Sequence, residues 1–258
     1  HTEIEYSGAR GKGATIKGHY YKDWIYNSAL NGVRFANTHV AGDRSVSNAL
    51  DMVEEIQRQL GPSATHRWAF DHCTFVNPKD FQRAARLGII FSCSPKYIDG
   101  VAPEAAKVYG EKVAHTFVVP VKSLIEAGVK VVFEADRDVY LWDDMELLMT
   151  RKLRDGTVWG PQEAIDRVTL LKMITRWAAE YVLKENELGS IEEGKLADLV
   201  IIDRDYMSIP KTEMSEVQVL LTMLGGKTVF MNPHFAQEYS LPPGGAVIAT
   251  YQELQERH

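Results

Sequence analysis

Three polar residues, His39, His72 and Asp136, each follow an apolar segment with the pattern of a β-strand. His39 and His72 are 33 residues apart, and Asp136 comes 64 residues after His72, which is close to twice that spacing. Two histidines and a carboxylate form a ligand set suited to a divalent metal, above all zinc. The spacing therefore predicts a metal site at the carboxyl ends of neighbouring strands.

The segments that position these residues alternate between strand and helix patterns. One βα unit of a barrel takes about 30 residues, and barrel enzymes place their active sites at the carboxyl ends of the strands. We therefore expect four consecutive parallel βα units, with a longer loop after the third strand and the polar residues ending the first, second and fourth strands. The predicted strands are 33–39, 66–72, 89–93 and 129–135, and the predicted helices are 21–31, 42–60, 77–87, 121–127 and 161–186.

The pattern changes after Gly189. A short apolar strand is predicted over 199–202, and a hairpin joins 217–222 to 227–230 through Gly225-Gly226. No helix is expected between these strands. The sequence thus predicts two parts, residues 1–188 with βα units and residues 189–258 as a small β-rich module.

Composition excludes several classes of protein. The 258 residues carry a net charge of -6 and 45% are apolar, which is ordinary for a globular chain and argues against disorder and nucleic-acid binding. No apolar run approaches the roughly 18–20 residues that span a bilayer. The two cysteines, Cys73 and Cys93, are too few for a disulfide framework, and we expect buried free thiols. The compartment stays open.

Some candidates also have ordinary structural explanations. A histidine after a strand is often a hydrogen-bonded turn residue, although three such residues at regular spacing favour a site. Asp43 and Arg44 cap and brace the helix that follows His39, or alternatively steer the imidazole of His39 towards a metal.

Four motifs of the chain resemble those of the amidohydrolase superfamily, in the branch called amidohydrolase family 3. The resemblance covers about residues 15–235, and its last motif is specific. One departure is the segment 134–138, Glu-Ala-Asp-Arg-Asp, where the family more often has G-S-D-W-P. The matching segments are 37–45 (family H-x-x-G-D-R-A), 70–72 (E-H), 123–129 with 133–136 (S-L-L-D-A-G-V and G-S-D) and 189–200 (G-S-I-E-P-G-K-x-A-D-L-V).

The resemblance implies an α/β fold that is the C-terminal half of a metal-dependent (β/α)8 TIM-type barrel, with units five to eight in residues 1–188. Residues 189–258 would then form part of a small β-sandwich. His39 and His72 would bind metal, and Asp136 would bind metal and act as the catalytic proton carrier. The family's H-x-H pair and its bridging lysine have no match here. We therefore expect an N-terminal half, on a second chain or on residues absent here, and a homo-oligomer of the completed unit.

The function implied is hydrolysis of a carbon–nitrogen bond other than a peptide bond, in a small amide, by water activated on one or two zinc ions. Lys96, Tyr97 and Arg137 should line the same rim and bind substrate, the basic pair receiving a carboxylate. Two solvated surface charges are the plainer explanation of Lys96 and Arg137. The rival function is a non-catalytic scaffold or binding protein that kept the fold and lost the chemistry.

Overall fold

A computed structural model of the protein describes residues 20–136, 141–242 and 244–245. The fold is of the mixed α/β type, with one three-stranded parallel sheet and one three-stranded antiparallel sheet, in the orders β1-β2-β3 and β4-β5-β6. The strands are β1 (Ala69–His72), β2 (Ile90–Cys93), β3 (Lys130–Phe133), β4 (Leu199–Ile202), β5 (Val219–Leu224) and β6 (Lys227–Met231).

Helices connect and cover the strands. Short 3-10 helices lie at Pro62–Thr65, Pro78–Asp80, Pro161–Glu163 and Lys211–Glu216. The α-helices are α1 (Tyr20–Leu30), α2 (Asp43–Leu60), α3 (Phe81–Leu87), α4 (Lys96–Tyr109), α5 (Glu111–Phe117), α6 (Val121–Glu126), α7 (Leu141–Thr150), α8 (Arg167–Ile174), α9 (Arg176–Tyr181) and α10 (Pro233–Glu238).

The parallel sheet packs against apolar side chains on both faces, as parallel sheets usually do. Phe70 and Phe91 pack edge to face in the large core, with ring centroids 5.7 Å apart. Ala69 and Ile90 point to the opposite face and pack against Trp177 of α9. Strands held from both sides give the residues at their carboxyl ends fixed positions.

Helix α2 confirms the predicted helix over 42–60 almost to the residue. The positions expected on its apolar face, Val46, Leu50, Val53 and Ile56, are all buried in the large core. Gly61 ends the helix with φ 87°, a conformation that only glycine adopts readily.

The prediction of a strand over 33–39 is wrong. The segment still runs parallel to β1, because the N–H groups of Ala69 and Asp71 donate to the carbonyls of Phe35 and Thr38, each at 2.9 Å. Asn37 has φ 60°, however, and this left-handed residue breaks the extended backbone that a ladder requires. A single parallel bridge between His39 and Asp71 remains.

Two helical predictions also differ from the structure. The single helix expected over 161–186 is a 3-10 turn followed by α8 and α9, which are separated at Thr175. The Thr175 hydroxyl donates to the Leu171 carbonyl at 2.6 Å, a back-bond that bends helices. The third predicted strand is β2, and the longer loop expected after it contains helices α4 and α5. Helix α7 was not predicted. Gly100 and Pro103 lie within α4 despite their usual role as helix breakers.

The expectation of free thiols is wrong as well. Cys73 and Cys93 form a disulfide with their Cα atoms 4.7 Å apart, and both residues are fully buried. Cys93 is the register partner of His72, so the bond joins the carboxyl ends of β1 and β2. A separation of 20 residues does not reveal this proximity, which arises only when the strands pair.

The predicted hairpin is confirmed in β5 and β6. Gly225 and Gly226 form its turn with φ 54° and 78°, as a two-residue hairpin loop of this kind requires. The expectation of no helix between the strands of this module is wrong in one detail, since the 3-10 helix Lys211–Glu216 separates β4 from β5. Its Met214 is buried in the large core.

Among the residues described, no helix combines the length and the apolar character needed to cross a membrane.

Candidate metal centre

The candidate centre lies where the backbone leaves the carboxyl ends of the parallel strands. His72 is the last residue of β1, and Glu134 and Asp136 follow β3 directly. His72 and Asp136 have φ of 82° and 48°, and Cys73 has 57°. Residues other than glycine rarely adopt such angles, and they concentrate at functional sites, where the surrounding structure maintains the strain.

The His72 imidazole is the hub of the cluster. The side chain is buried, and its Nε2 contacts Nδ1 of His39. On the other side of the ring, Nδ1 lies 2.5 Å from Glu134 Oε1 and 3.4 Å from Asp136 Oδ2. The ligand atoms of His72, Glu134 and Asp136 all lie within 4.8 Å of one another, so these three side chains are close enough to share one ion.

Asp136 is held by two residues of the first turn of α4. Its Oδ2 accepts a hydrogen bond from the Tyr97 hydroxyl at 2.6 Å and lies 2.6 Å from Lys96 Nζ. Lys96 also donates to the backbone carbonyl of Asp136. Lys96 and Tyr97 are thus brought to the site, but they bind the proposed catalytic carboxylate.

These contacts set the ionisation of the cluster. Partial burial favours the neutral form of Asp136, but the bonds from Lys96 and Tyr97 outweigh it and lower the pKa of Asp136 below its ordinary value. Burial and the bond to Asp136 raise the pKa of Tyr97 well above 10. For His72, burial opposes the charged form, yet the bond to Glu134 and the nearby carboxylates give a net rise in its pKa.

The donor set fits a divalent metal. Nε2 of His72 contacts Nδ1 of His39, and the carboxylates of Glu134 and Asp136 lie on the Nδ1 side of the same ring. Nitrogen and carboxylate oxygen are the donors that zinc and related ions take from proteins. A proton and a metal compete for the same imidazole lone pair, so the carboxylates that favour protonation of His72 also favour a cation.

The remaining predicted site residues are less closely tied to the cluster. Gly42, rather than Asp43, is the N-cap of α2, and Asp43 lies buried in the first turn, where its charge suits the helix dipole. Arg44 is exposed. Arg137 lies outside the described residues.

Glu134 is the member of the cluster to which the sequence analysis assigned no role. The family motif that this segment resembles more often has a glycine at this position. The signal that could have found it is the one that found the others, a polar group directly after an apolar strand. It also lies two residues before Asp136, a spacing that brings both carboxylates to the same strand end.

The chain is similar to known proteins in sequence and in fold. The profile of the Amidohydrolase family matches residues 28–230. The chain is 29% identical over 214 residues to the N-substituted formamide deformylase of Arthrobacter pascens, covering 80% of this chain and 39% of that protein. The chain therefore spans about two-fifths of the length of this curated relative.

Solved structures share the fold. An uncharacterized metal-dependent hydrolase from Pyrococcus furiosus superposes with a TM-score of 0.58 at 24% identity, over 72% of this chain and 38% of the other. An adenosine deaminase from Xanthomonas campestris with bound zinc superposes with a TM-score of 0.55 at 14% identity, over 81% and 49%. With a family profile matched over most of its length, the chain belongs to the amidohydrolase family.

Proposed function

We propose that the protein is a metal-dependent hydrolase that cleaves a carbon–nitrogen bond of a small, non-peptide amide. The observation that carries the proposal is the cluster at the carboxyl end of β1, where His72 Nε2 contacts His39 Nδ1 and His72 Nδ1 lies 3.4 Å from Asp136 Oδ2. The formamide deformylase relative supports the choice of bond, because its name states an action on formamides.

His39, His72 and Asp136 are the residues proposed to hold zinc, as one ion or two. When bound, the metal would lower the pKa of a water molecule towards 7 and polarise the scissile carbonyl. The neighbour with bound zinc supports this choice of metal.

Asp136 is the proposed catalytic residue. Its lowered pKa keeps it a carboxylate at neutral pH, which is the form that accepts a proton. Tyr97 and Lys96 fix the position of Oδ2, so the accepting oxygen is oriented before substrate arrives. From this oxygen the proton would pass to the leaving nitrogen.

Lys96, Tyr97 and Arg137 are proposed to bind substrate. The Lys96 ammonium group has three N–H donors and two partners on Asp136, its carbonyl oxygen and Oδ2, so one donor remains to receive a substrate carboxylate. Carboxylate-bearing and neutral amides should therefore differ in KM, and the difference should fall in Lys96→Ala and Arg137→Ala variants.

We further propose that residues 1–188 are the second half of a barrel and residues 189–258 part of a β-sandwich, completed by an N-terminal half. The partial coverage of the similar proteins, 39% of the formamide deformylase and 38% and 49% of the two solved structures, supports this arrangement, as does the absence of a matched H-x-H pair. A homo-oligomer of the completed unit is part of the same proposal.

Zinc binding tests the proposal most directly. Zinc content and affinity would be measured by mass spectrometry and chelator competition for the wild type and for the double variant His39→Ala/His72→Ala. We expect stoichiometric zinc in the wild type and loss of it in the double variant. His66→Ala is the matched control, because His66 is exposed and lies outside the cluster.

Unchanged zinc in the double variant would show that the metal site is elsewhere. Assays with N-formyl and N-acyl amides then separate the two functions. Hydrolysis that depends on Asp136 supports the enzyme, whereas a zinc-loaded, completed protein that hydrolyses none of these amides would favour the scaffold.

A further inference from the structure

We propose that Glu134 is a positioning residue that holds the His72 imidazole in a single tautomer and orientation, with Nδ1–H donated to Glu134 and the Nε2 lone pair left for a metal. The effect of Glu134 on metal binding rests on the proposed function. The tautomer of His72 is measurable without metal.

The Glu134 carboxylate is engaged by three donors. Oε1 lies 2.5 Å from His72 Nδ1, and Oε2 accepts from the backbone N–H of His72 at 3.2 Å and from the Ser92 hydroxyl at 2.8 Å. Two of the three donors therefore belong to one residue. Glu134 thus accepts hydrogen bonds from both the backbone and the ring of His72, while Ser92 of the neighbouring strand β2 holds the carboxylate in place.

The consequence for His72 follows from the chemistry of imidazole. A neutral ring has one N–H donor and one lone pair, on different nitrogens. A carboxylate only accepts hydrogen bonds, so Nδ1 must carry the proton. The lone pair is then on Nε2, the atom that contacts His39 Nδ1. Metal-binding histidines commonly donate their other N–H to a carboxylate, which fixes the tautomer and raises the basicity of the ligand nitrogen.

The backbone conformation of His72 gives a second reason for its hydrogen bonds to Glu134. With φ 82°, His72 adopts an unfavourable conformation that persists only when contacts over-determine it. The bond from its N–H to Glu134 is one such contact, and the disulfide of the adjacent Cys73 is another. A glycine at position 134, as in the commoner family motif, would have no side chain to make the bonds to the ring and the backbone.

The same contacts argue against Glu134 as a direct ligand. Glu134 Oε1 lies closer to His72 Nδ1 than Asp136 Oδ2 does, at 2.5 Å against 3.4 Å, and Nδ1 is not the ring nitrogen that faces His39. Glu134 thus acts on the metal through His72.

Two measurements on Glu134→Ala and Glu134→Gln test the inference. Long-range ¹H–¹⁵N NMR of the metal-free protein, at a pH above the pKa of His72 where the ring is neutral, would report the His72 tautomer, and chelator competition would report zinc affinity. In the wild type we expect the Nδ1–H tautomer. In Glu134→Ala we expect mixed tautomers and about 10–100-fold weaker zinc binding, the usual cost of losing such a partner.

Glu134→Gln retains an oxygen that can accept from Nδ1–H, so we expect the wild-type tautomer and a smaller loss of affinity. Ser92→Ala is the matched control, because it removes one bond to the same carboxylate without touching His72. It should keep the tautomer. Should Glu134→Ala fail to fold, an Nε2–H tautomer in the wild type, or unchanged zinc affinity in Glu134→Gln, would still overturn the inference.

Wild-type tautomer and affinity in Glu134→Ala would overturn the inference while leaving the proposed function intact. An unchanged tautomer with zinc binding abolished would also overturn it, by making Glu134 a ligand. A wild-type protein that shows the Nδ1–H tautomer but binds no zinc would instead contradict the proposed function and leave the role of Glu134 in place.

Discussion

The two sheets of the molecule differ sharply in how they are packed. Every residue of β1 and β2 is buried, and Phe91 is completely inaccessible. In the antiparallel sheet, all of β4 is exposed or half-buried, with Val200 54% exposed. Its own core is a small cluster of Leu221, Met231 and Ala236. Strand length is similar in the two sheets, so the difference lies in what covers them.

This difference explains where the chemistry lies. A site of several side chains needs positions held to a fraction of an ångström, and strands locked by packing on both faces provide that precision. The candidate centre uses the ends of such strands, at His72 and after Phe133. The exposed apolar side chains of the antiparallel sheet are instead of the kind found at interaction surfaces.

The largest expected effect on stability comes from truncating one apolar side chain in each sheet, which tests the difference in packing. Phe91→Ala should lower the free energy of unfolding by about 3–5 kcal/mol, because it leaves a cavity in the large core. Val200→Ala should change it by less than about 0.5 kcal/mol, as for an exposed position. Urea denaturation of both variants measures the two changes in the free energy of unfolding. A comparable loss in Val200→Ala would mean that β4 is covered in solution.

Removing the disulfide should act on the parallel sheet alone. Reduction of Cys73–Cys93, or the double change Cys73→Ala/Cys93→Ala, releases a cross-link between residues 20 apart and should cost about 3 kcal/mol. Hydrogen exchange should accelerate in β1 and β2 and stay unchanged in β4–β6. Equal acceleration in both sheets would show that they unfold as one unit.

The smallest expected effect is the loss of one helix N-cap, in residues 1–188 and in residues 189–258. Asp166 accepts from the N–H groups of Val168 and Thr169 at 2.9 Å, and Asn232 accepts from that of His234 at 2.9 Å. Replacing either by alanine should cost about 1 kcal/mol at pH 7. Local hydrogen exchange in α8 and α10 measures each cap separately.

The stability that the two caps contribute should differ at low pH. Hydrogen bonds from Thr169 and the backbone lower the pKa of Asp166 below its unfolded value of 3.8. A lowered folded-state pKa gives stability that is fully present above about pH 4 and is lost as the pH falls through the folded pKa. The cost of Asp166→Ala should therefore shrink on acidification, whereas that of Asn232→Ala should not. Asp166→Asn, which caps without titrating, is the control and should show no such pH dependence.

Local patterns in the sequence determined much of the fold. The apolar spacing of α2, the strands before His72 and Cys93, and the Gly225-Gly226 turn follow from interactions within a few residues, and all are confirmed. The placement of His39, His72 and Asp136 near one another also follows from sequence, since consecutive parallel strands end at the same edge of a sheet.

Tertiary structure alone decided the partners of these residues. The disulfide, the bonds of Glu134 to His72, and the hold of Lys96 on Asp136 join positions 20, 62 and 40 residues apart. Such contacts depend on strand register and on where a helix starts above the sheet, which periodicity does not encode. The sequence therefore identified most of the side chains that could do chemistry, though not the role of Glu134, and packing determined which atoms of those side chains meet.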